Sequence, residues 1–134
     1  MKSQNEVLEN PRVIIIQKLY SNHFNKDTTI VFPKHRFRKF IKDVVNGTIE
    51  RHELINALME KELSREIKSP NTELMVKLMI MAAIYEFMFM HKTPTKVVIN
   101  EYIKVADFFV QNSQKAFLNA ILDKLSKIAR VESA

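Results

Sequence analysis

Apolar residues recur at helical spacing along most of the chain, and each recurrence starts near a proline. Asn10-Pro11, Phe32-Pro33, Ser69-Pro70 and Thr93-Pro94 each precede such a pattern. Proline fits the first helical turn because its missing N–H has no intrahelical partner to lose, and three of these prolines follow a side chain that can cap a helix. The first helix is predicted from Pro11 to about His23, where Ile16, Leu19, Tyr20 and His23 share a face that Ile15 widens. A polar loop from Asn25 to Thr29 follows. The second helix runs from Pro33 to about Asn46 and stops at Gly47, read as a left-handed cap. The third spans about Thr48 to Glu66, with Ile49, His52, Ile55, Met59 and Leu63 on one side. The fourth runs from Pro70 to about Met90; its second half is apolar nearly all round, as suits the centre of a bundle. The fifth starts with Thr93 as cap and Pro94 as first helical residue and stops near Gln111-Asn112, and Ser113 caps the sixth.

The fold class that follows is all-α: a compact helical bundle of about six to seven helices, with no strand beyond a stray bridge. The segment from Lys68 to Asn71 divides two packed three-helix subdomains, about 1–68 and 69–134. They form a single domain over 1–134, because each half is too small to be secure alone.

Composition narrows the function classes. A single glycine, Gly47, argues against turn-rich β architectures and cannot build a phosphate-cradling loop. The absence of cysteine excludes disulfides and thiolate metal sites, and fits the cytoplasmic location expected here. The segment before Pro11 has no apolar signal core. The longest apolar run, Leu78 to Met90, is broken only by Glu86 and is too short to cross a membrane, which needs roughly 20 residues. No membrane partner is therefore expected. His23, His35, His52 and His91 show no metal-ligand spacing, and no nucleophile-elbow motif is present. No catalytic residue, metal site or cofactor is expected, and the protein is read as a non-enzyme.

The net charge of +6 favours a polyanionic partner such as RNA, DNA or an acidic protein. Its clearest concentration is the run from Lys34 to Lys42, where Lys34, Arg38 and Lys42 lie four apart on a helix while Phe37, Phe40, Ile41 and Val44 form another face. The pattern fits a phosphate-binding stripe, or a solvated face opposite the core, which is what charge runs usually are. Glu86 reads either as a functional buried acid or as a core carboxylate satisfied by a basic group or a helix start; the cost of an unpaired buried charge favours the second. Asn100 and Asn119, in otherwise apolar helical contexts, are expected to tie helices together through their amides.

Several segments, in order, carry a family resemblance. They are Arg12-Val13-Ile14-Ile15-Ile16-Gln17-Lys18-Leu19-Tyr20, Tyr85-Glu86, Pro94-x-x-Val97-x-Ile99-Asn100-Glu101, and Phe117-Leu118-Asn119-Ala120-Ile121-Leu122-Asp123, with a weaker match at Phe37-Arg38 and Val44-Val45. Together they resemble the NusB family of transcription antitermination factors, closely from about Met75 to Lys124 and loosely from Ser21 to Pro70. The resemblance implies a small helical factor that binds single-stranded boxA RNA jointly with the ribosomal protein NusE, as part of the elongation complex transcribing ribosomal RNA operons. Carried over by motif, the RNA-binding residues are Lys2, Arg12, Lys115 and Phe117, and the protein-partner residues are Tyr20, Glu73 and Lys77. Phe117 has core packing as its other reading.

Departures from the family pattern matter. The family's arginine-rich amino end is reduced to Lys2, Arg12 and Lys18 among Glu6 and Glu9. Met81 replaces a usual arginine, and Asn119-Ala120 a usual Asn-Gly. The thin terminal charge motivates an alternative: a protein-interaction module of the same fold with weak or no RNA binding. A third reading, an accessory domain of an RNA-modifying enzyme, lacks any catalytic domain in this chain.

Overall fold

Asn10 starts the first helix as the sequence predicts. In the computed structural model its side-chain oxygen accepts hydrogen bonds from the backbone N–H groups of Arg12 and Val13, at 3.0 and 3.3 Å, with Pro11 in the first turn. The structure describes residues 9–67 and 73–133. Within them lie six helices: α1 (Pro11–Phe24), α2 (Arg38–Glu50), α3 (His52–Ile67), α4 (Leu74–Phe89), α5 (Thr95–Phe109) and α6 (Asn112–Ser133). The described residues contain no strand. The expected cap at Ser69-Pro70 and the expected division at Lys68 to Asn71 lie outside them.

Helix α4 is the centre of the bundle and packs against each of the other five helices. Its burial runs round the cylinder, taking in Val76, Leu78, Met79, Ile80, Ala82, Ala83, Ile84 and Phe87. A helix apolar on all sides has no stable place but one enclosed by its neighbours. One hydrophobic cluster joins Ile15 and Ile16 of α1, Ile41 and Val44 of α2, Ile55 of α3, α4, Tyr102 of α5 and Leu118 and Leu122 of α6.

Several local expectations are corrected. Helix α2 begins at Arg38 rather than Pro33, so Lys34 is not on it. The preceding turn is held by His35, whose Nδ1 accepts from the Phe37 N–H at 2.9 Å while Nε2 donates to the Glu9 carbonyl at 3.1 Å. Gly47 is not a left-handed cap. No glycine among the described residues has positive φ, and α2 runs through Gly47 to Glu50. Gly47 is buried where the Tyr85 ring of α4 crosses α2, and a β-carbon there would fall within that ring. Glycine serves this position by its missing side chain rather than by its backbone freedom. The helix expected to start at Pro94 starts at Thr95, with Pro94 in the cap position and no capping side chain. Asn100 and Asn119, expected between helices, are exposed, as are Tyr20, His23 and His52 from the expected apolar faces of α1 and α3.

Candidate functional site

The polar centre of the molecule is a buried triad. Arg12 projects from the first turn of α1, Glu86 from the last turn of α4 and Tyr102 from the middle of α5. Arg12 Nε donates to Glu86 Oε2 at 2.9 Å and Nη2 to Oε1 at 2.6 Å, while the Tyr102 hydroxyl donates to Oε2 at 2.5 Å. Arg12 is 8% exposed, and Glu86 and Tyr102 are fully enclosed. The Arg12 guanidinium also lies 4.9 Å from the centre of the Phe40 ring. A carboxylate so far from water is tolerable because a bidentate cation and a hydroxyl meet both its oxygens. Glu86 is thus a satisfied core carboxylate, the structural reading of the sequence.

Burial pushes the Tyr102 hydroxyl well above its ordinary range, and the adjacent Glu86 charge adds to this. Burial alone lowers the Arg12 guanidinium, but its bond to Glu86 and the charges of Tyr102 and Glu86 more than offset that and raise it. A consequence is testable. A tyrosine ionises at about 10 in the unfolded chain, and Tyr102 resists ionisation in the fold. Its contribution is fully present below about pH 10 and is lost progressively as pH rises from there through the raised folded value. Urea denaturation is expected to show stability falling by about 1.4 kcal/mol per pH unit in that window from this residue. Tyr102→Phe should remove that share of the slope; an unchanged slope would mean Tyr102 is not the group responsible.

The residues implied for RNA differ in their surroundings. Arg12, expected to meet phosphate, has its guanidinium turned into the core. Lys115, half-buried near the start of α6, is ion-paired with Asp107 of α5. Phe117 is half-buried and packs against the hydrophobic cluster. Lys2 lies outside the described residues.

Of the residues implied for a protein partner, Lys77 lines a groove of about 570 Å³ between α1, α3 and α4, with Leu19, Leu74, Leu78 and Met81. Thr48, fully buried, also lines it, and its Oγ1 has no hydrogen-bond partner among the described residues. Tyr20 stands outside the lining, 41% exposed, with its ring edge-on to Phe24 at 5.0 Å. Glu73 is exposed at the start of α4 and makes no capping bond.

Two residues with large structural roles, Tyr102 and Arg130, escape a reading of motifs. From α6, Arg130 donates to the carbonyls of Thr93 (2.7 Å), Phe87 (3.0 Å) and Glu86 (3.2 Å), closing the carboxyl end of α4. The available signal for Tyr102 was its place on the stripe of Val98, Ile99, Val105 and Ala106, which put its hydroxyl in the core needing a partner. Arg130 had no comparable signal.

The family model described as the NusB family matches residues 8–127. The transcription antitermination protein NusB of Photobacterium profundum is 28% identical over 113 residues, covering 84% of this chain and 74% of that protein. The protein of the same name from Caulobacter vibrioides is 26% identical over 136 residues, covering 89% and 91%. For that from Bradyrhizobium diazoefficiens, 28% identical over 88 residues, the match covers 66% of this chain and 53% of the relative, so the chain spans about half the length of several curated relatives it matches. The solved structure of T. maritima NusB superposes with a TM-score of 0.77 at 21% identity, over 99% of this chain and 98% of that one; at this identity the likeness speaks for the fold. No helix among the described residues is long and apolar enough to cross a membrane.

Proposed function

The chain belongs to the NusB family, and from that membership we propose that it is a non-catalytic transcription antitermination factor. It binds boxA-type single-stranded RNA together with the ribosomal protein NusE, within the elongation complex on ribosomal RNA operons in the cytoplasm. The observation that carries this reading is the family match over residues 8–127, on a helical surface with a net charge of +6. The physical logic is shared affinity: a short strand offers one small protein few phosphates and few bases, and a second protein alongside adds contacts and lowers the ordering cost. Lys2, Arg12, Lys115 and Phe117 are the family-derived RNA candidates, and Tyr20, Glu73 and Lys77 the partner candidates.

A specific observation keeps a second reading in play. Arg12 and Lys115 are each neutralised by a carboxylate of this same chain, Glu86 and Asp107. That favours an interaction module with weak RNA binding of its own. Fluorescence-anisotropy titration of a boxA-type RNA separates the two. Weak binding by the protein alone and tighter binding with NusE present is expected. An affinity unchanged by NusE would remove the cooperative mechanism, and no binding in either case would make the interaction module the function.

A further inference from the structure

The cations lost to internal pairs at the family-type site have a counterpart elsewhere. Between Lys26 and Lys42 six Lys or Arg stand against Asp27 alone, so most of the net charge is gathered in this one segment. The loop after α1 runs back across α2 and encloses with it a groove of about 650 Å³. Along α2 the wall is the stripe of Arg38, Lys42, Asn46 and Glu50, each four residues from the next, with Ile49 beside it. Lys26, Thr28 and Phe32 contribute from the loop. Lys26, Arg38 and Lys42 are all exposed, and none is paired with a carboxylate among the described residues, whereas the neighbouring Lys39 is held by Asp43 at 2.7 Å. Glu50, at the far end, is the one acid in the lining.

On the reading that this protein binds RNA, we propose that the α2 groove is a second RNA-contact surface, in which Arg38, Lys42 and Lys26 take the phosphates of a single strand. Arg38 and Lys42 stand one turn apart, about 6 Å along the axis, a spacing on the scale of successive phosphates in an extended strand. The amide of Asn46 and the hydroxyl of Thr28 offer donors and acceptors to base edges, and the half-buried Phe32 offers an apolar wall. An acidic protein would meet the same charges, but three cations in one groove, with a single acid at its far end, suit a strand with charge at every step. Continuity supports the assignment. The His35 bond to the Glu9 carbonyl and the stacking of Arg12 over Phe40 set the start of α2 beside the amino end of α1. A strand reaching the terminus of α1 therefore arrives next to Arg38. The excess of cations from Lys26 to Lys42 takes the place of the arginines missing before α1.

The test compares the intact protein with Arg38→Ala/Lys42→Ala, titrated with a labelled boxA-type RNA, with and without NusE, over a range of salt. The binding constant of a single strand falls as the salt concentration to a power of roughly 0.7 per phosphate neutralised. Losing two contacts is expected to weaken binding about 25-fold at about 0.1 M salt and to flatten the logarithmic salt slope by about 1.4. Both side chains are exposed, so circular dichroism should show the variant folded. Lys104→Ala/Lys127→Ala removes the same charge from exposed positions on α5 and α6 and is expected to change affinity less than threefold, with little change in slope, as about one Debye length of screening allows. Equal losses in the two variants would show a general charge effect and overturn the groove. RNA bound by the intact protein and unaffected by the α2 change would also overturn it, leaving the RNA-binding reading intact. No RNA binding by the intact protein, alone or with NusE, would overturn both.

Discussion

Arg12→Ala is expected to lower the stability of the fold by about 3–5 kcal/mol, the largest effect of any charge removal in this protein. The loss does not measure an attractive contact. Glu86 is fully enclosed, and without Arg12 it keeps only the Tyr102 hydroxyl against the cost of a buried negative charge. The first turn of α1 would also lose its tie to α4, because Nε and Nη2 make both bonds to that carboxylate. Against the 5–15 kcal/mol typical of a domain, the change leaves a large fraction of molecules unfolded under mild stress. Urea denaturation measures it, and a loss under about 1 kcal/mol would mean the pair is not buried as described. The companion variant replaces all three groups by apolar ones: Arg12→Met, Glu86→Leu and Tyr102→Phe. With nothing polar left stranded, this variant should recover most of the lost stability. It also decides a functional question that the single substitution cannot. Arg12→Ala weakens RNA binding whether or not Arg12 touches RNA, simply by unfolding the protein. In the apolar variant RNA affinity should match the wild type if Arg12 serves the fold alone, and should fall if its guanidinium is also a phosphate contact.

Arg130→Ala is expected to cost about 2–3 kcal/mol, from charge-assisted hydrogen bonds each contributing roughly 1.5–3 kcal/mol, reduced because the guanidinium is partly exposed. The carbonyls it serves, of Glu86, Phe87, Met90 and Thr93, belong to the last turn of α4 and the turn into α5, where helical partners run out. A guanidinium reaches them together because its donors are held in one rigid fork. Arg130→Lys keeps the charge, and its interaction with the negative end of α4, but not the fork; it should recover less than half of the loss. The denaturation midpoint should move with its slope unchanged. Complete recovery by lysine would assign the effect to charge at the helix end. A loss within about 0.5 kcal/mol, typical of an ordinary surface change, would show that water replaces the arginine there without penalty.

Much of the fold was legible in the chain because its causes are local. Asn10 caps α1 through atoms within three residues, and the apolar surround of α4 follows from its own sequence; both are read without knowing where any other helix lies. The boundaries that moved did so for tertiary or turn-level reasons. The α2 start slid to Arg38 because His35 uses its ring to close a turn and to reach Glu9, a residue of another segment. Asn100 and Asn119 lie beside buried positions in sequence, yet both face water, since one step along a helix turns a side chain by about 100° and apolar periodicity fixes that phase only coarsely at the edge of a stripe.

The candidate site was legible as a list of residues and not as an arrangement. Glu86 announced itself as a charge in an apolar helix requiring a cation, and Arg12 stood at the head of another apolar run, but nothing along the chain joined them. Gly47 likewise carried an unambiguous fact, the absence of a side chain, with two structural uses, and only the Tyr85 ring crossing α2 selected between them. By itself the sequence determined the helices, their order, the central one and the family resemblance, because dihedral preference, capping and periodicity act over a few residues. Only the tertiary structure decided which cations are spent inside the protein, Arg12 on Glu86 and Lys115 on Asp107, and which, Arg38 and Lys42 among them, remain on the surface. A direct ion pair needs nitrogen and oxygen within about 4 Å, and it is the packing of whole helices that sets those distances.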